Sequence, residues 1–228
     1  MTTGVIYVNI KMNKAKESEK MKEKMKTRQI IKYEAKELIQ KNGLWLSIGL
    51  PHIIVTSAIL GVALTDSTFV FPLSLVNMIL TLASSLYLYQ IVTGQIDIKP
   101  TFGGQISDMI STLTDKTALT YLFMNIYLFL WALIPIAGIF ISVVKTYSYN
   151  LSIYIANDNQ SKQYNDNITK SRTIMDGHKM DWFIQHISFI GWSLLTFITA
   201  GLAGIFVYPY IIAADAIYAN EVLQQQKQ

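Results

Sequence analysis

The most constraining feature of this chain is a run of 38 residues, from Trp182 to Ala219, in which Asp215 is the only group charged at neutral pH. As a single helix it would be roughly 57 Å long at about 1.5 Å per residue. Bilayer hydrocarbon is only about 30 Å thick and is crossed by about 20 residues. One span cannot use the run, but two spans of about 18 residues can if the chain reverses between them. The sequence Thr199-Ala-Gly-Leu-Ala-Gly204 supplies the reversal, because two glycines among small residues permit a tight turn. The run therefore predicts a helical hairpin whose turn lies at a membrane surface.

Composition agrees. The 228 residues are 51% hydrophobic and 15% charged, below the roughly 25% charged residues of soluble domains. Cysteine is absent, which excludes disulfides, thiolate metal sites and cysteine nucleophiles. Charge is unevenly placed: residues 1–43 carry 11 of the 19 Lys and Arg against 5 Glu. A basic segment ahead of the first apolar run is a topology signal before it is a nucleic-acid signal.

Residues 28–41 place Ile31, Ala35, Leu38 and Ile39 at helical spacing among Lys and Glu, the pattern of an amphipathic helix on an anionic membrane surface. Leu44 to Thr65 is a first span, with Pro51-His52 near its start, and Phe71 to Val92 is a second. In the polar segment 93–118, Ile106, Met109, Ile110 and Leu113 predict a short surface helix. A second hairpin, Leu119–Ile134 and Ile139–Ala156, turns at Pro135-Ile-Ala-Gly138, and the long run gives a third. With six spans, three connectors without Lys or Arg share one side, and 18 of the 19 basic residues fall on the other. Positive charge favours the cytoplasmic side, so both termini are expected there. Keeping 119–144 straight would give five spans and move 157–181, with four basic residues, outside.

The two C-terminal hairpins also resemble each other at an offset of 61 residues: Trp131 matches Trp192, and Tyr147-Ser-Tyr149 matches Tyr208-Pro-Tyr210. Duplication and chance both remain open at this level of identity. Duplication would give a parallel repeat.

Several words occur in a characteristic order: Trp131-x-Leu-Ile, Lys145-x-Tyr-Ser-Tyr149, Ser171-Arg-x-x-Met175-x-Gly-His-Lys179, Ser188-Phe-Ile-Gly-Trp192, a glycine-bearing turn, and Pro209-Tyr210. In order and spacing, over residues 28–222, they resemble DUF975, a family of uncharacterised integral membrane proteins common in Gram-positive bacteria. One departure is that Pro135 and Gly138 are separated where the family typically has them adjacent. The resemblance implies a multi-span membrane protein of the bacterial cytoplasmic membrane and supplies no activity.

Lys145 and Asp215 are the residues charged at neutral pH inside the expected spans, and intramembrane charges usually face a partner or a wet cavity. Two readings are open. They pair along a polar pathway, with Tyr149 and Tyr210 among the tyrosines placed to stack on a ligand, or each snorkels to its own interface. Asp176, His178, Asp181 and His186 gather near the start of the fifth span and read as a polar boundary cluster. His178 and Asp181 stand one turn apart, but no HExxH motif accompanies them, so no metal ligand, cofactor or catalytic residue is assigned.

The expectation is an all-α polytopic membrane protein. Residues 1–43 form a basic cytoplasmic segment with an interfacial helix, 44–222 a six-span domain of three hairpins, and 223–228 a cytoplasmic tail. The expected function is non-catalytic: binding lipid or peptide, or accompanying a transport or envelope-stress system. A small transporter or channel subunit using Lys145 and Asp215 is the alternative, and a membrane-embedded enzyme is third. Expected partners are membrane lipids, with anionic headgroups at the N-terminal helix, and a protein within the membrane; nucleic acid is not among them.

Overall fold

The computed structural model describes residues 28–65, 67–134, 137–158 and 163–226. The basic stretch 1–27, Pro135, Lys162 and Lys227, all used in the topology argument, lie outside these. Among the described residues every regular element is helical.

Helix α1 covers residues 28–40 and leads into α2, Leu44–Thr65, through a kink where Asn42 and Gly43 take φ of 50° and 69°. A short 3-10 turn, Ser67–Phe69, separates α2 from α3, Val70–Val92. Two helical stretches, Arg28–Thr65 and Val70–Val92, are long and apolar enough to cross a membrane. The first two expected spans thus appear within a residue of their sequence boundaries. The surface helix is α4, Phe102–Ser111, whose N-cap Thr101 accepts a hydrogen bond from the Gly104 amide. Helix α5, Asp115–Ala132, opens with a reciprocal cap in which Thr114 and Thr117 each accept from the other's backbone N–H.

The chain continues as α6 (Ala137–Tyr149), α7 (Ser152–Asn157), α8 (Tyr164–Ile174), α9 (Lys179–Ile187), α10 (Ile190–Ile198) and α11 (Gly204–Gln225). Of the two expected turns, the first contains Pro135 and Ile136, which lie outside the described residues, and the second is present. In the second, Ala200 and Gly201 take φ of 50° and 95° between α10 and α11, and the latter value lies where glycine is the favoured residue.

Two expected spans are interrupted. The stretch 139–156 breaks at Asn150-Leu151, and 182–198 breaks at Ser188-Phe189. At the second break the Ser188 hydroxyl donates to the Gln185 carbonyl, a local bond that competes with the helical ladder. The break turns Phe189 fully into the core. Hydropathy does not register such breaks, because the residues on both sides are apolar.

The proposed repeat survives as a contact and not as a helix pattern. Trp131 Nε1 donates to the Tyr149 hydroxyl at 3.2 Å, and Trp192 meets Tyr210 edge-on at 6.3 Å between ring centroids. Yet α5 is continuous where its counterpart is split into α9 and α10.

The core lies at one end of the molecule. It gathers Ile31 and Ala35 of α1, Leu82 to Tyr89 of α3, Leu151 and Ile155, Trp182, and much of α11 from Ile212 to Leu223. The other end exposes apolar side chains: Ile54, Leu60 and Leu64 of α2, Phe71 and Ile79 of α3, and Phe197. Helix α10 has no buried residue at all. Exposed apolar surface on this scale marks a contact with lipid or another apolar partner.

Helix α1 departs from expectation. Its apolar stripe is not turned to a membrane surface: Ile31 and Ala35 are fully enclosed in the same core as Ile217 and Leu223. Arg28 pairs with Asp181 at 3.4 Å, and Lys32 donates to the Ser188 carbonyl at 3.0 Å with its ammonium above the Phe189 ring. Partial burial lowers the Lys32 pKa from its ordinary value. A stripe at helical spacing suits lipid or protein equally, and here the C-terminal hairpin covers it. Amides of 31–39 should therefore exchange hydrogen as slowly as those of 212–223. Exchange at the rate of a free helix would leave α1 undocked.

One crossing is unusually close. A Cβ built on Gly49 would fall 2.8 Å from the Ile205 carbonyl carbon and nearer still to its oxygen. That oxygen is the one whose helical donor is missing, because Pro209 lies four residues on and has no N–H. Trp45 stacks on Phe206 and His52 packs on Tyr208 beside it. As the α2 residues advance through 45, 49 and 52, their partners do not advance steadily, so α2 and α11 cross here instead of running side by side.

Candidate functional site

Helices α3, α5, α6, α7, α9 and α11 line a half-open cavity of about 390 Å³. Its walls are regular in register. Tyr121, Met124, Asn125 and Leu128 form an i, i+3, i+4, i+7 stripe on α5, and Tyr208, Ile211, Ile212 and Asp215 form another on α11. Thr81 and Ser85 of α3 close one side, and Thr146, Asn150, Ile153 and Tyr154 close the other.

Asp215 is held firmly. Trp182 Nε1 donates to its Oδ1 at 2.7 Å, and His186 Nε2 lies 3.2 Å from Oδ2. Trp182 is itself fully buried and tilted against Tyr218 at 5.1 Å. The hairpin brings these groups together because residues 182 and 186 on α9 face 215 on α11 across the turn at 199–203.

The cavity wall is rich in acceptors. Thr81 donates to the Asn77 carbonyl, Ser85 to Thr81, Thr146 to Ser142, and the Asn125 amide to Tyr121. With those hydrogens committed to their own helices, Thr81, Ser85 and Thr146 present oxygen lone pairs to a ligand alongside the Asp215 carboxylate, and the Tyr121, Tyr154 and Tyr208 hydroxyls on the same wall can donate as well as accept.

Among the described residues no ion pair joins Lys145 to Asp215, and the two line different cavities. The Lys145 ammonium sits 4.7 Å from the Trp131 ring centroid, in a groove with Arg172 and Lys179. Counting residues from the turns estimates depth, but the direction in which a side chain points depends on how the helices pack.

The four boundary residues do not converge. Asp176 pairs with Lys179 at 3.5 Å, and Asp181 pairs with Arg28. The His178 carbonyl accepts from the Tyr218 hydroxyl, and His186 turns to Asp215. Nor do Tyr149 and Tyr210 reach the cavity. Tyr149 accepts from Trp131, and Tyr210 packs edge-on against Phe189 at 5.0 Å. The tyrosines that line it are Tyr121, Tyr154 and Tyr208. The two four-residue stripes are visible in the sequence by register. Ser85 and Thr81, on a third helix, carry no such signal.

The fold and cavity describe an all-helical, cysteine-free protein with helices long enough for a bilayer. Residues 136–226 match the family model described as Protein of unknown function (DUF975). This is the family the sequence motifs resemble, matched over a shorter stretch than 28–222 and including α6 through α11. No curated protein and no solved structure matches the chain.

Proposed function

We propose that this is a multi-pass protein of the bacterial cytoplasmic membrane, with six spans and both termini inside, that binds an amphipathic lipid or peptide without transforming it. The observation that carries this reading is the acceptor-rich cavity with Asp215 on its wall. Its volume is within the roughly 300–1,000 Å³ of ligand pockets. Apolar walls suit a chain or side chain, and the lone pairs and carboxylate suit a hydrogen-bond donor such as an amine or amide. The exposed apolar ends of the hairpins support burial in lipid.

Thr146→Trp should fill the cavity from one wall. Protein purified in mild detergent and then denatured should release a bound lipid or peptide visible by mass spectrometry, and at least one released species should be missing from the Thr146→Trp protein. Equal release from both would remove the reading. The transport alternative relied on a route shared by Lys145 and Asp215, which line separate cavities. Solute flux in proteoliposomes that depends on Asp215 would reinstate it.

Topology is directly testable because the chain has no cysteine to remove. Single cysteines at Ser67 and Ala203 should react with an impermeant thiol reagent from outside, and those at Asp166 and Gln226 only after the inner face is opened. Labelling of Ala203 from the inner face alone would make α10 and the start of α11 a re-entrant hairpin, a possibility raised by the crossing at Gly49.

A further inference from the structure

We infer that the groove between α6, α8 and the start of α9 is a binding site for a phosphate group, presented as the headgroup of an anionic phospholipid or as the free ion. The groove is about 460 Å³ and is lined by Lys145 and Ser148 of α6, Thr169, Arg172 and Thr173 of α8, and Asp176 and Lys179 beyond it. Residues 169, 172 and 173 fall at i, i+3 and i+4, so α8 presents one face to Lys145, and the turn that follows it adds Asp176.

The charge balance carries the argument. Three cations meet one carboxylate, and that carboxylate, Asp176, is largely exposed and engaged with Lys179. Among the described residues neither Lys145 nor Arg172 has an acidic partner. Like charges in one groove repel, and an anion between them reverses the sign of each interaction. Arg172 supplies a forked donor set suited to phosphate oxygens, and the two lysines supply point charges. Thr173 and Ser148 use their hydroxyl hydrogens on helix carbonyls, so the cations are the principal donors. Trp131, beside Lys145, gives the groove an aromatic flank. Membrane–water interfaces favour such residues, consistent with a headgroup as occupant. The site is separate from the cavity at Asp215 and does not depend on what that cavity binds.

The test uses the full chain in mixed micelles of phosphatidylglycerol and phosphatidylcholine, with retained lipid counted by native mass spectrometry. The wild type should retain phosphatidylglycerol over phosphatidylcholine by about 100-fold, the three cations each contributing about fivefold. The double variant Arg172→Gln/Lys179→Gln changes one exposed and one half-buried side chain and should lose about 25-fold in that retention. Lys36→Gln, an exposed lysine on α1, should retain lipid as the wild type does. Inorganic phosphate distinguishes the sources. Displacement of lipid by phosphate places both in the groove, and phosphate binding by a chain indifferent to phosphatidylglycerol assigns the free ion, provided the double variant loses it. Equal retention by the double variant and the wild type overturns the proposal, as does the absence of both lipid preference and phosphate binding. The loss caused by the double variant should be the same in a Thr146→Trp background, where the other cavity is filled, so failure here and failure of the cavity reading can be told apart.

Discussion

Gly49→Leu should abolish the folded state, and Gly49→Ala should lower stability by about 3 kcal/mol, the upper part of the usual overpacking range. The obstruction is backbone. A Cβ at this position meets the carbonyl oxygen, carbonyl carbon and Cα of Ile205, none of which can rotate away as a side chain would. The two helices would have to separate, opening the Trp45–Phe206 stack and the His52–Tyr208 contact as they did so. Gly61, on the same helix, is the internal control, because a Cβ there meets nothing within 4 Å. Gly61→Ala should be neutral or slightly stabilising, since alanine is the better helix former by up to about 1 kcal/mol. Thermal melts in detergent separate the two substitutions. If they behave alike, α2 and α11 do not cross at Gly49.

The second large effect is expected at Asp215. Replacing it with alanine strips the acceptor from Trp182 Nε1 and the partner from His186 Nε2. A buried donor left without its charged acceptor costs about 1.5–3 kcal/mol, and two groups are affected here, so a loss of about 3 kcal/mol is expected. Asp215→Asn keeps an acceptor and should lose roughly half of that. Double-mutant cycles identify the partner. Trp182→Phe with Asp215→Asn should show coupling of about 1 kcal/mol, whereas Lys145→Met with Asp215→Asn should be additive within about 0.5 kcal/mol. Strong coupling in the second cycle would restore the lysine–aspartate pathway that the geometry separates.

These two sites show what the sequence makes legible. Helix α2 is bounded correctly because a run of apolar residues ends at a polar turn, and that signal is local. Gly49 gives no local signal. Nothing around it distinguishes it from Gly61, and its role exists only because Ile205 arrives from elsewhere in the chain. Asp215 was identifiable as the one charge in a long apolar run, yet its partners depended on which face of α9 turned toward α11. Rise per residue fixes depth along a helix, but the rotation of roughly 100° per residue turns a small packing shift into a different neighbour. The same limit applies to α1: the stripe from Ile31 to Ile39 was readable, and the surface that covers it was not.

The docking of α1 also bears on the order in which the molecule is assembled. Arg28 reaches Asp181, and Lys32 reaches Ser188, across sequence separations of 153 and 156 residues. During synthesis α1 leaves the ribosome long before the C-terminal hairpin exists, and its apolar face must wait without its permanent cover. Contacts this distant close late, since the chain between them must be ordered first. The nascent protein therefore makes most of its helices while α1 still lacks the cover that Asp181 and Ser188 anchor, and α1 docks only once the last hairpin has arrived.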